Sequence, residues 1–145
     1  MRLYIAGAWI EQIERARPMM AKARALGISI TYDWTDPLWK PSDGKGDSSL
    51  TPELRKSYAQ SDLKGVLDAD VFWLLAANDK GACGSWVELG AALAAVSYSR
   101  RLGRIIVSGP QWQRCIFSEL ADRKFPTDDE AFDYLRSLLE EELKA

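Results

Sequence analysis

The chain has no histidine, only two cysteines, and no apolar run approaching the ~20 residues that a membrane helix requires. Without histidine, Ser-His and Cys-His nucleophile pairs are excluded, as is every His-ligated metal site. Acid, base or nucleophilic work then falls to carboxylates. Cys83 and Cys115 stand far apart, and no charged segment followed by an apolar one precedes "MRLYIAGAWIEQ". A reduced, cytoplasmic setting is therefore expected. The chain also lacks an excess of basic charge. Its net charge is −2, whereas binders of nucleic-acid polymers concentrate Lys and Arg to displace counterions. A small ligand is the expectation, with no nucleic-acid polymer and no membrane among the partners.

What is present is an ordinary globular balance: 47% hydrophobic and 28% charged residues in 145, enough for a sizeable core in one domain over 1–145. Short β-rich runs alternate with helical stretches. "RLYIAGAW" reads as a strand. "EQIERARPMMAKARALG" reads as a helix that becomes regular near Pro18 and stops at Gly27. "ISITYDW" is a second strand, followed by a loop rich in Pro, Gly, Ser and Asp. "TPELRKSYAQSDLKGVLDA" is helical with Thr51 as N-cap, and "DVFWLLAA" is too continuously apolar for a half-exposed strand. A helix from about Ser85 to Arg101, a buried strand "RIIVSGP" and a terminal helix capped by Thr127 complete the pattern. This order predicts an α/β fold: a flavodoxin- or Rossmann-like three-layer sandwich with a parallel sheet of about four to five strands.

In such a sheet, ligands bind beyond the carboxyl ends of the strands. The loops expected there hold Gly7 to Ile10, Asp33 to Trp39, Asn78 to Ser85 and Ser108 to Trp112. Among them "GACGSWVELGAALAA" has a single charge, Glu88. Two readings of it stand side by side. Ser85 and Glu88 have the spacing of a capping box, which needs no chemistry. Alternatively, a carboxylate on a helix apolar nearly all round is poorly solvated, and a buried charge has either partners or a use. At the ligand edge it would suit nucleophilic attack on a sugar carbon.

Taken together, "LYIAGAWI", "SDLKGVLDADVFWLL" and "GSWVELGAALA" resemble the nucleoside 2-deoxyribosyltransferase family, which includes nucleoside and nucleotide N-glycosidases. The likeness runs from about Arg2 to Gly109. It implies that Glu88 is the nucleophile attacking C1′ and that Asp62 handles the base or its leaving-group proton. It also implies that Tyr4 and Trp9 line the pocket. Asp33 and Trp34 are candidates by position, since they end the second strand on the same edge. Gly7, Gly84, Ser85 and Ser108, on the same edge, are further substrate-binding candidates, and the "GACGS" turn offers backbone N–H groups to an anion. Trp39 sits in a loop placed to close over a substrate.

One departure is informative. Where many deoxyribosyltransferases carry an aspartate six residues before the glutamate, this chain has Ala82, and Asp79 is offset by three residues. Losing that negative charge favours a nucleotide substrate. Neither the enzyme nor the binding reading calls for a metal or an organic cofactor, and the resemblance implies a nucleoside or nucleotide substrate and a homodimer or higher homo-oligomer. The competing reading keeps the fold as a non-catalytic nucleotide-binding regulatory module.

Overall fold

A computed structural model describes residues 1–36, 50–77, 83–98 and 103–145. The expected lid with Trp39, the positions of Asp79 and Ala82, and the expected helix end at Arg101 lie outside the described residues.

Five strands form one sheet: β1 Arg2–Ala6, β2 Ser29–Ile30, β3 Val71–Leu75, β4 Arg104–Ser108 and β5 Arg123–Phe125. Their order is β2-β1-β3-β4-β5 and every pairing is parallel. Helices α1 Arg17–Ala25, α2 Pro52–Asp68, α3 Cys83–Tyr98 and α4 Asp128–Lys144 cover both faces, as the alternation predicted. Leu3, Ile5, Trp73, Leu75 and Ile106 pack with Met19, Met20, Ala23, Ala131 and Leu135 of α1 and α4. Tyr4, Phe72, Leu74, Ile105 and Val107 face the other way, against Val66, Leu89, Ala92 and Ala95 of α2 and α3. All of β3 is buried, because a parallel strand flanked on both sides and covered on both faces has no solvated side.

The helix ends follow local chemistry. Thr51 accepts from the Leu54 N–H to cap α2, and Thr127 forms a full capping box with Glu130 at the start of α4. α1 ends in a Schellman motif: Gly27 at φ 78° donates to Arg24 O, and Ile28 donates to Ala23 O. The segment before α1 is a 3-10 turn, Trp9–Glu11, and a π-helical turn, Gln12–Ala16. A regular α-helix starts only where Pro18, with no N–H, falls in its first turn.

Two expectations change. The second strand is shorter than "ISITYDW": its last backbone contact with β1 is Thr31 N–H to Leu3 O at 2.9 Å, and beyond it the Trp34 indole N–H donates to Ile5 O at 2.7 Å. A fifth strand appears where none was read. β5 is a three-residue edge, attached to β4 by Asp122 N–H to Ile105 O and Gly109 N–H to Phe125 O, contacts that no local pattern announces. No described helix is long and apolar enough to cross a membrane.

Candidate active site

The chain leaves β1 toward β2 on one side and returns to β3 on the other, so the sheet order reverses between β1 and β3. A crevice at the carboxyl ends of these two strands is the usual ligand position in an open α/β sheet. Tyr4, in β1, is fully buried and stacks on its neighbour Phe72 of β3 with ring centroids 6.0 Å apart. Its ring lies over Gly65 of α2. A Cβ at residue 65 would stand 2.8 Å from Tyr4 Cε2 and 2.8 Å from Tyr32 Cβ, so only glycine admits the tyrosine there.

The Tyr4 hydroxyl lies 3.0 Å from Asp62 Oδ1 of α2 and 3.0 Å from Glu88 Oε1 of α3. Three residues far apart in sequence thus meet at one oxygen. Glu88 is buried, with 9% of its surface exposed. Burial, followed by the nearby charge of Asp62, pushes its carboxyl up to about 8, while the Tyr4 hydrogen bond pulls the other way. Burial together with the Glu88 and Asp62 charges raises Tyr4 well above the usual phenol range, so it stays protonated. A phenol has one proton to give and two carboxylates ask for it. The arrangement is satisfied when Glu88 carries a second proton.

The capping-box reading of Glu88 changes accordingly. α3 begins at Cys83, so Ser85 lies inside the first turn, buried, and the Glu88 carboxyl is engaged by Tyr4. The aromatic candidates gather at the end of β1. Trp9 and Trp34 approach at 6.3 Å between centroids, and a Cβ on Gly7 would be 3.6 Å from Trp34 Cζ2 and from Leu75 Cβ. Both indoles are half-buried. Gly84 is exposed at the start of α3, with open space where a Cβ would stand.

Two candidates are placed elsewhere. The Asp33 carboxylate accepts from the Thr35 backbone N–H and hydroxyl and from Arg24. Burial opposes ionisation, but these hydrogen bonds outweigh it and hold the carboxyl below its ordinary range. Asp33 belongs to an open cleft it shares with Arg17, Arg24, Thr35 and Asp36, whose walls include neither Tyr4 nor Glu88. Ser108 is fully buried on the α1/α4 face, accepting from the Trp73 indole at 2.8 Å and donating to Asp128 Oδ1 at 2.6 Å.

That contact leads to a cluster that the sequence reading passed over. Arg15 grips Asp128 with Nε and Nη2, both at 2.8 Å, and uses Nη1 for Glu11 Oε2 and Ala76 O, each at 2.8 Å. "TDDE" announces a cap but not that Asp128 turns inward, and Arg15 in a charged helix looks solvated. Gly65 was equally silent, one glycine in an ordinary helix. Among the described residues no group of three or more His, Cys, Asp or Glu side chains is placed to hold a metal ion.

No family model matches this sequence, and no curated protein matches it. Among solved structures, the chain is similar to the Clostridium botulinum CMP N-glycosidase BcmB. The TM-score is 0.54 at 15% identity, covering 95% of this chain and 98% of that one. The likeness establishes the shared three-layer α/β fold over nearly the whole length of both.

Proposed function

We propose that this protein cleaves the N-glycosidic bond of a nucleoside or nucleoside 5′-monophosphate through a covalent intermediate on Glu88. The observation that carries the proposal is the buried Glu88 carboxyl, hydrogen-bonded by Tyr4 beside Asp62 near the switch point of the sheet. A binding module has no need of a buried carboxyl held by a phenol beside a second carboxyl. A glycosidase has, because an oxocarbenium-like centre forms next to it. The structural neighbour acts on CMP, by its name, and supports a nucleotide as the substrate class.

In this reading the Glu88 carboxylate attacks C1′, the C1′–N bond breaks with its electron pair going to the base, and Asp62 protonates the departing nitrogen. Water, or a second base, then takes the sugar from Glu88. The half-buried indoles of Trp9 and Trp34 offer faces for stacking a base, and Gly7, Gly84 and Ser85 border the sugar and any phosphate. We also propose a homo-oligomer: α3 carries no charge except Glu88 and exposes Val87 and Tyr98, at 65% and 90%, to whatever lies outside.

The test is incubation with a panel of nucleosides and 5′-monophosphates, with and without a free acceptor base, and separation of the products. Base released without acceptor identifies a hydrolase, and exchange only with acceptor a transferase. A protein that binds the nucleotides and releases no base under either condition refutes the catalytic reading.

A further inference from the structure

Tyr4 is fully buried, and its hydroxyl is placed for more than packing. Its hydroxyl is equidistant, at 3.0 Å, from the two carboxyl groups to which the proposed reaction gives opposite needs. Glu88 must lose a proton to attack, and Asp62 must hold one to give to the leaving base. We infer that Tyr4 is a proton relay: Glu88 passes its proton to the Tyr4 oxygen while Tyr4 passes its own to Asp62, creating the nucleophile and the leaving-group acid in one shift. This inference rests on the glycosidase reading for its chemistry, and on the geometry alone for the shared proton.

The balance is simple. One proton moves from Glu88 to Asp62, one negative charge moves the other way, and Tyr4 ends as it began. Glu88 then bonds to C1′ and the Asp62 proton leaves with the base. When water later attacks C1′, Asp62 takes its proton, Glu88 departs as a carboxylate, and the relay running backwards restores the resting state.

The surroundings keep the proton inside this trio. Among the described residues, the titratable groups in this corner are Tyr4 of β1, Tyr32 after β2, Tyr58 and Asp62 of α2 and Glu88 of α3, and the charges acting on Glu88 and Tyr4 come from carboxylates. Gly65 fixes the ring, since any side chain there would displace it. Phe72 stacks on the ring within the core. The hydroxyl is therefore held where both transfers are short, and a desolvated setting makes each stronger than in water.

Two variants and two substrates test the relay. The substrates are a nucleotide whose base leaves only when protonated and one whose base is already cationic, such as an N7-alkylated purine nucleotide. For the first substrate, wild type should show a bell-shaped pH profile of kcat/KM, because the active form holds one proton between the two carboxyls. Tyr4→Phe should lose that substrate by about 10²-fold or more at every pH. It should recover the cationic one as pH rises past the wild-type optimum, where Glu88 ionises without help. A Tyr4→Phe loss that is equal for both substrates and independent of pH would mean that the ring only packs, and the relay would be overturned. Asp62→Asn, which leaves the ring in place, should also spare the cationic substrate but move the acid limb the other way, to lower pH.

An infrared titration of the protonated carboxyl band needs no turnover. Tyr4→Phe should shift the Glu88 titration upward and Asp62→Asn downward, and an unchanged titration in Tyr4→Phe defeats the relay. A wild type with these shifts and no glycosidase activity would remove the functional reading while leaving the shared proton standing.

Discussion

Two pairs of carboxylates lie on opposite faces of the same sheet and are treated in opposite ways. On the α1/α4 face, Asp128 and Glu11 share the Arg15 guanidinium, and the side chains of Arg15, Glu11 and Asp128 expose only 13%, 15% and 14% of their surface. Burial works against ionising Asp128, but hydrogen bonds from Arg15 and Ser108 and the Arg15 charge prevail, and its carboxyl is held below the usual range. On the α2/α3 face, Glu88 and Asp62 share a neutral phenol, and Glu88 is pushed up to about 8. Compensation converts buried acids into a clasp between β3, the segment before α1, and α4. Where, among the described residues, burial and a neighbouring carboxylate act without it, Glu88 keeps its proton well above the ordinary carboxylate range. Burial alone does not set the state of an acid; the charges and donors placed beside it do.

The largest effect expected from breaking this contrast is Glu88→Gln. The amide keeps a hydrogen bond for Tyr4 but cannot attack C1′, so kcat should fall by about 10³-fold or more while nucleotide binding persists. Steady-state kinetics together with calorimetric binding check this, and a slow fluorinated substrate should leave a sugar adduct on residue 88 of the wild type. Normal turnover by Glu88→Gln would falsify the nucleophile assignment.

On the opposite face the response should be structural. Arg15→Met strands two carboxylates and the Ala76 carbonyl, and a half-removed buried ion pair costs about 3–5 kcal/mol. A urea midpoint lowered by that much, read by circular dichroism, is the expected result. Glu88→Gln should show no comparable loss, since the amide keeps the Tyr4 hydrogen bond and strands no buried charge.

Gly65→Ala sharpens the comparison from within the site. The new methyl meets Tyr4 and Tyr32 at 2.8 Å, so overpacking should cost about 1–3 kcal/mol. Moving the Tyr4 ring should reduce activity as well. Unaltered stability and rate would show that the ring has room to yield.

The two clusters should also tilt stability in opposite directions with pH. Glu88 binds its proton more tightly folded than unfolded, with values of about 8 against 4.5. Stability therefore falls as pH rises from about 4.5 to about 8, by at most about 1.4 kcal/mol per unit, and then levels off. Asp128 is lowered, so its contribution is present above its unfolded value of 3.8 and is lost as pH falls through the folded one. Urea titrations across pH should show both slopes, and Glu88→Gln should abolish the alkaline one alone. Smallest of all, Thr127→Ala removes the α4 cap and should lower stability by about 1 kcal/mol, with catalysis untouched in the same assays.

Much of this was visible in the order of residues. Continuous apolar runs announced the buried strands, Thr51 and Thr127 announced their caps, and Gly27 announced a helix end, because each is decided within a few residues. The lone charge in "GACGSWVELGAALAA" marked Glu88 before any fold was known. β5 escaped because a three-residue edge strand exists only through its pairing with β4. Ser108 was expected beside the substrate because it ends a strand on the ligand edge. A strand's alternate residues point to opposite faces, however, and Ser108 shares the face of Trp73 and Asp128.

The sequence by itself determined the layers, the direction of the strands, the caps of α2 and α4 and the presence of one carboxyl in an otherwise uncharged helix. All of these follow from periodicity and short-range hydrogen bonding. Only the tertiary structure decided what that carboxyl faces. Whether an acid is a clasp or a reagent depends on desolvation and on charges a few ångströms away, and those distances are set by chain segments as remote as Tyr4, Asp62 and Glu88. Arg15 could have met either pair; the fold placed it beside Asp128 and left Glu88 with a phenol.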